Sequence, residues 1–451
     1  MKTPHLLSCM PMVYALFGAI VTPSAYAVIT MEQAVNTAIS NDPWLDGNLL
    51  MQRSLTAQSK AADSQPDPVL SLGLVNLPTD GFAFGQEAMT QLKLGLAQRF
   101  QRGDSGAIQQ KQLQQLAAQY PLQREDRKAK VAVTVAQLWL DAYMADQSIK
   151  LIERERGLFS QLADIVQASY SSAQDKTRQQ DVVRAQLEIS RIEDRLTIFK
   201  GQRDTSLAKL FEWLGADNRY DETTSFELEI ADDIPNSQPV SAERAALFTA
   251  RNRQKLANIL AGHPLVGALE QRIQASFSGI ELARQKYQAQ WGVNAAYGYR
   301  DDDQSGNSRA DFLSLGITVD LPLFTAGRQD QELEASKLSA ESIKTEKRLL
   351  LRNMMAQLDG LYRNYHRQEQ RIALYQNAIS QQLHEQAEAA LTAYTNDDGD
   401  FAEVMRARIA ELNGRIEQIV IVVERVKLLQ HIDYFFTHDK PQQTTNTRVK
   451  P

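Results

Sequence analysis

The chain has 451 residues, 43% hydrophobic and 23% charged, and a formal net charge of −6. This moderately polar balance, with a mean hydropathy of −0.38, excludes a broadly basic surface for nucleic acid, because Lys and Arg are interspersed with Glu and Asp. The single cysteine, Cys9, excludes a disulfide within the chain.

In chain order, Lys2, the apolar run "LLSCMPMVYALFGAIV" and the small-x-small site Ala25-Tyr26-Ala27 predict an export signal over residues 1–27. Cys9 lies too near the start to follow an apolar core, so it leaves with the signal rather than carrying a lipid. No later run of 18 apolar residues predicts a membrane-spanning helix.

The remainder reads as two similar halves. Leu92 and Gly95 of "LKLGLAQRF" precede Leu313 and Gly316 of "LSLGITVDLPLF" by 221 positions (92 against 313, 95 against 316). Asp42-Pro43-Trp44 answers His263-Pro264-Leu265 at the same offset. "VAQLW" from Val135 answers "MAQLD" from Met355, and "DVVRAQLEISRIEDRL" from Asp181 answers "EVMRARIAELNGRIEQI" from Glu403.

The first half, 28–213, predicts helices at "MEQAVNTAIS" and "LDGNLLMQRSLTAQSKAADSQ", a strand hairpin over 68–100, a long helix over 105–170 and a return helix over 178–213. The second, 261–436, predicts a helix from Pro264, a hairpin over 291–324, a long helix over 328–394 and a return helix over 401–436. About 65 residues of helix reach roughly 100 Å, far beyond the need of a globular core. Pro121 should kink or interrupt the first long helix; from Gln329 to Tyr394 nothing stops the second. Residues 214–260 change composition and read as a smaller mixed segment beside the helices. Residues 437–451 read as a disordered tail.

The four strands alternate apolar residues with Gly, Ser, Thr, Asn and charge over about ten residues, the pattern of a transmembrane β-barrel strand. A soluble sheet with one wet face has the same alternation but no use for an export signal, a duplication and such helices together. Four strands cannot close a barrel, and an open edge in lipid leaves backbone groups unpaired. Two copies give about eight strands, which side chains plug; three give about twelve, wide enough for a lumen.

The duplicated half, the "NDPWL" and "GHPLV" starts, the "LGLAQRF" and "LGITVDLPLFTAGR" strand-to-helix junctions and the "DVVRAQ" and "EVMRAR" returns together resemble the outer-membrane factor family, the TolC-like exit ducts of tripartite efflux and type I secretion systems. The resemblance covers nearly the whole chain after the signal. It implies a mainly α fold with a small membrane β-barrel: a homotrimer whose shared 12-strand barrel continues into a long α-helical barrel crossing the periplasm. It also implies a periplasmic adaptor, an inner-membrane pump of the RND type and outer-membrane lipid as partners, and export as the function. "PDPVLSLGLVNLPTDGF" is most similar to the heavy-metal branch, whereas Phe100-Gln101-Arg102-Gly103-Asp104 departs from that branch's Pro-Gly-Lys-like turn; multidrug or protein export are the alternatives.

No catalytic set, cofactor motif or metal site stands out, which points away from an enzyme. The histidines are scattered without HExxH spacing. "NDDGDFAE" fails as an EF-hand, since Tyr394 and Met405 fall at its first and last ligand positions; Met354-Met355 reads as packing. In the family, an acid just before Val-x-x-Ala faces the pore at the periplasmic entrance, which carries over to Asp181 and Glu403. Arg184 and Arg406 follow three residues later, where they either pair with a neighbouring acid and latch the gate or face solvent. Tyr394 is a further latch candidate. An exported coiled-coil stalk or adhesin is the alternative of another class; it needs no alternating strands and requires a sustained 3.5-residue repeat.

Overall fold

A computed structural model of the chain describes residues 28–171, 179–215, 229–234, 239–396 and 398–437. The expected signal, most of the turn near 171–180 and all but the first residue of the expected tail lie outside these.

After a two-residue strand β1 (Val28–Ile29), helix α1 (Met31–Ser40) begins with a capping box in which Thr30 and Gln33 exchange backbone and side-chain hydrogen bonds. Helix α2 (Pro43–Ala62) starts at Asp42, whose carboxylate accepts from Trp44 N, with Pro43 in the first helical position. Helix α7 (Pro264–Gln285) is built likewise: the imidazole of His263 accepts from Leu265 N, and Pro264 follows. The repeated X-Pro pair is thus a repeated helix start.

Strands β2 (Val69–Val75) and β3 (Gln91–Arg99) form one antiparallel hairpin; β5 (Gln290–Tyr299) and β6 (Phe312–Asp320) form the other. Antiparallel pairing of β3 with β5 joins them into one sheet of order β2-β3-β5-β6. Period two divides its faces. On one, Leu72, Leu94, Tyr297 and Leu313 stand in register across all four strands, as do Leu70, Leu96, Ala295 and Leu315. On the other, Ser71, Gly95, Ala296 and Ser314 lie in line. The apolar face is bare: Leu72 is 70% exposed, Leu315 77% and Ile317 72%.

Each hairpin leads into a long helix. The first is α3 (Ser105–Ser171), 67 residues, with α4 (Gln179–Leu214) returning. The second is α8 (Gln329–Leu374), a π-helical turn (Tyr375–Ile379) and α9 (Ser380–Thr395), with α10 (Phe401–Phe435) returning. Between the halves lie β4 (Glu229–Ile230), which pairs parallel with β1, α5 (Ala242–Leu247), a 3-10 turn (Ala250–Asn252) and α6 (Arg253–Ala261).

Three apolar clusters hold the helices along their length. One joins α1, α3, the end of α4, β4 and α10 around Trp139, which is fully buried and donates from Nε1 to Ile29 O at 3.0 Å. A second joins α6, α7, α8 and the end of α10 through Leu260, Leu358, Ile432 and Phe435. The third, at the far end from the sheet, joins α3, α4 and α10 through Phe159, Val166, Ala185, Phe401 and Met405. Burying a large apolar side chain stabilises by about 1.5–3 kcal/mol, so these clusters rather than intrinsic helix propensity keep such long helices together. Among the described residues no helix is long and apolar enough to cross a membrane.

One expectation narrows and one needs correction. Pro121 lies inside α3 without interrupting it: α2 and α7 pack beside α3 there, with Leu122 against Gly267 and Gln123 accepting from Asn48. The second long helix is not one regular run to Tyr394, because it changes to π winding at 375–379 although no proline or glycine marks the place. One extra residue rotates α9 by about 100° relative to α8, which brings Ala387 to complete burial against α10.

Candidate functional site

The helix turns farthest from the sheet carry the residues singled out by sequence. At the second turn, Asn396 N bonds Thr392 O and Asp398 N bonds Ala393 O. Gly399 is required by close approach, since a Cβ there would stand 2.7 Å from Tyr394 N. Asp400 then caps α10 by accepting from Ala402 N at 3.1 Å. Tyr394 is half-buried and meets the edge of Phe401, ring centroids 5.7 Å apart.

Glu403, in the first turn of α10, pairs with Arg406 one turn on, Oε2 to Nη1 2.7 Å, with the two side chains 46% and 68% exposed. Asp181 holds the equivalent place in α4, yet only 6% of it is exposed. The reason is helical phase. Asp181 heads the stripe continued by Ala185 and Ile192, which faces the third cluster, whereas the buried stripe of α10 passes through Val404, Ala407 and Arg408 and leaves Glu403 to one side. Arg184 is exposed. Tyr394, Phe401 and the Glu403–Arg406 pair therefore meet at one turn, and Asp181 and Arg184 stand at the start of the other return helix.

Sequence reading missed a buried ionic cluster one to two turns above. Glu411, 7% exposed in its side chain, accepts from Arg408 at 3.0 Å and Arg415 at 2.7 Å and meets His384 Nδ1 at 2.8 Å. Arg408 also reaches Glu388 at 2.7 Å, and Arg415 reaches Glu155 on α3 at 2.8 Å. Burial alone would raise the Glu411 carboxyl; hydrogen bonds from His384 and Arg408 with the charges of Arg415 and Arg408 outweigh it and hold the carboxyl below its usual range. The i,i+3 and i,i+4 spacing in "RIAELNGR" was the available signal. It does not distinguish an exposed pair from a buried one.

At the opposite end, the sheet joins the helices through a clamp: Arg102 pairs with Asp320 and donates to Lys286 O and Gln288 O at 3.1 Å each. At the outer turns, Arg300 and Arg309 donate to Ala88 O and Glu87 O of the first hairpin loop, at 3.1 and 3.0 Å. Among the described residues no group of three His, Cys, Asp or Glu is placed to hold a metal ion.

This chain, with its four-stranded sheet and long helices, superposes on solved structures over most of its length. The CmeC outer membrane channel of Campylobacter jejuni superposes with a TM-score of 0.71 at 13% identity, covering 90% of this chain and 85% of that one. The outer membrane protein VceC of Vibrio cholerae superposes at 0.69 and 13%, covering 90% and 95%. The chain has the fold of the outer-membrane channels. CusC, whose structures concern folding and transmembrane channel formation, matches this channel fold at 0.70 and 14% identity over 91% and 92%. No family model matches the chain, and no curated sequence matches it significantly.

Proposed function

We propose that the chain is an outer-membrane exit duct, which passively conducts solutes delivered by an inner-membrane pump of the RND type and a periplasmic adaptor across the periplasm and outer membrane. The observation that carries this is the sheet: one face is exposed leucine, isoleucine and aromatic residues, the other small and polar, and its outer strands β2 and β6 are paired on one side only among the described residues. In hydrocarbon each unpaired backbone group costs several kcal/mol. Because the four strands alternate in direction, β6 of one copy meets β2 of the next antiparallel, so a ring of copies closes without a fault. Three copies give the 12-strand barrel with a lumen.

The helix turns farthest from the sheet then form the periplasmic entrance, with Glu403 and Asp181 as its acids, Arg406 and Arg184 as their basic neighbours, and Tyr394 on Phe401 as an apolar latch. The Tyr394–Phe401 contact, which joins α9 to α10, supports the latch reading. Heavy-metal cations, drugs and secreted proteins are the cargo classes that the resemblance implies.

The test is purification and bilayer recording. The purified protein should need detergent, run as a heat-resistant trimer and conduct in a planar bilayer; a monomer soluble without amphiphile would refute the duct. If Asp181→Ala with Glu403→Ala leaves conductance and ion preference unchanged, those acids do not line the entrance.

A further inference from the structure

At the level of Lys93, the face of the sheet opposite the leucines carries charge of one sign. Lys93 and Arg99 of β3 project from it, between neighbours that are almost all small. Lys93 is in register with Gly73 on one side and Gly298 on the other; Arg99 is in register with Gly292, and Thr318 follows on β6. A Cβ at Gly73 would meet nothing within 4 Å, so space beside Lys93 is open, and the stem of Arg99 crosses over Gly292. Both side chains are exposed, and among the described residues neither makes a salt bridge or side-chain hydrogen bond. The acids of this face lie at its helical rim, where Asp320 is paired by Arg102 and the exposed Asp67, two residues before β2, runs alongside β3 level with Arg99; none lies at the level of Lys93. At the outer rim Asp311 is engaged by Arg300 N at 2.9 Å and by the Tyr297 hydroxyl.

We infer that Lys93 and Arg99 form two collars in the membrane-level lumen, that of Lys93 with no acid at its level, and that the duct favours solutes of net negative charge over bare cations. This rests on the duct reading above and names its cargo class. The collars stand about 20 Å apart along the strand, one toward the hairpin loops and one at the junction with the helices, separated on this face by Gly95 and Ala97. Each closed trimer places three lysines at one level and three arginines at the other around an aqueous axis. A unit charge about 10 Å from the axis changes local ion concentration roughly twofold in water, so the Lys93 collar contributes about eightfold before salt screening. The entrance acids stand at the opposite end of the duct, Glu403 paired with Arg406 and Asp181 6% exposed, and so leave the potential at the level of the collars unchanged. A metal cargo would accordingly leave as an anionic complex.

The experiment is the reversal potential of the full-length trimer in a planar bilayer under a low-salt KCl gradient. The native trimer should pass chloride over potassium. Lys93→Gln with Arg99→Gln should lower the chloride-to-potassium ratio by about eightfold or more, Lys93→Glu should lower it further, and Lys93→Arg should retain it. Potassium preference in the native trimer, or a ratio unmoved by Lys93→Glu in variants that still run as heat-resistant trimers, overturns the collars and leaves the duct standing. Inserted trimers that pass no current overturn the duct, and the collars with it.

Discussion

The two long helices occupy equivalent places in the two halves, and each departs from its local sequence in the opposite direction. α3 contains Pro121 and remains one helix of 67 residues; α8 has no proline and gives way to π winding at Tyr375–Ile379. A proline inside a helix costs about 3 kcal/mol, through a lost hydrogen bond and a ring clash. α3 tolerates this because α2 and α7 pack on it around the proline and the Trp139 and Phe159 clusters bury it beyond. The π turn has no buried residue of its own, so little packing resists the extra residue, and α9 beyond it gains the phase that places His384, Ala387 and Glu388 toward α10. Long-range packing, not the nearest residues, decides where such a helix stays regular.

The largest effect that would break this comparison comes from deleting Asn377. Restoring α winding should turn α9 by about 100°, separate His384 from Glu411 and Glu388 from Arg408, and abolish hydrogen-exchange protection of α9 while α3 stays protected. Protection unchanged in α9 would mean the π turn does not set its phase. Next in size, Glu411→Ala leaves Arg408 buried among fewer acceptors and should cost about 3 kcal/mol of local opening energy at Ala407–Leu412, read from the same exchange. Acid should mimic it. The Glu411 pKa is depressed in the fold, so its contribution is present above the unfolded carboxylate pKa and is lost as pH falls through the depressed value.

Pro121→Ala should raise the melting temperature, worth about 2 kcal/mol, if α3 merely tolerates the proline; a lower melting temperature would mean that the ring shapes α3 against α2 and α7. The smallest effect separates the two X-Pro helix starts. Asp42→Ala removes both a cap and the pair to Arg127 at 2.7 Å, whereas His263→Ala removes a cap and the bond to Tyr434 O at 3.1 Å, each about 1–2 kcal/mol. His263 accepts at Nδ1 and faces a carbonyl at Nε2, the neutral imidazole, and burial pushes its pKa down. Its contribution is therefore present above the unfolded value near 6.5 and lost as pH falls through the folded one. Thermal melts from pH 7.5 to 5 should steepen in the native protein and flatten in His263→Ala.

A mostly helical chain with two strand hairpins was legible in sequence, because period-two alternation and a turn rich in Gly and Asp each act within a few residues; the X-Pro pair was read only as a repeat, and α2 begins at Pro43 rather than Leu45. The candidate entrance was legible only as motif positions. Asp181 and Glu403 share a motif, yet one is buried and the other paired in the open, since the phase of each return helix is set by what it packs against. The cluster at Glu411 showed only its spacing within α10, not its burial, for the same cause: His384, Glu155 and Arg408 come from three helices.

Sequence by itself determined the duplication, with its repeated X-Pro pairs at Asp42 and His263, and the segregation of leucine from small, polar and charged residues on the strands, because neighbouring residues suffice for each. Tertiary structure alone decided that Pro121 would be absorbed, that α8 would unwind by one residue, and that Lys93 would stand between Gly73 and Gly298, because these depend on segments tens to hundreds of residues apart meeting in space.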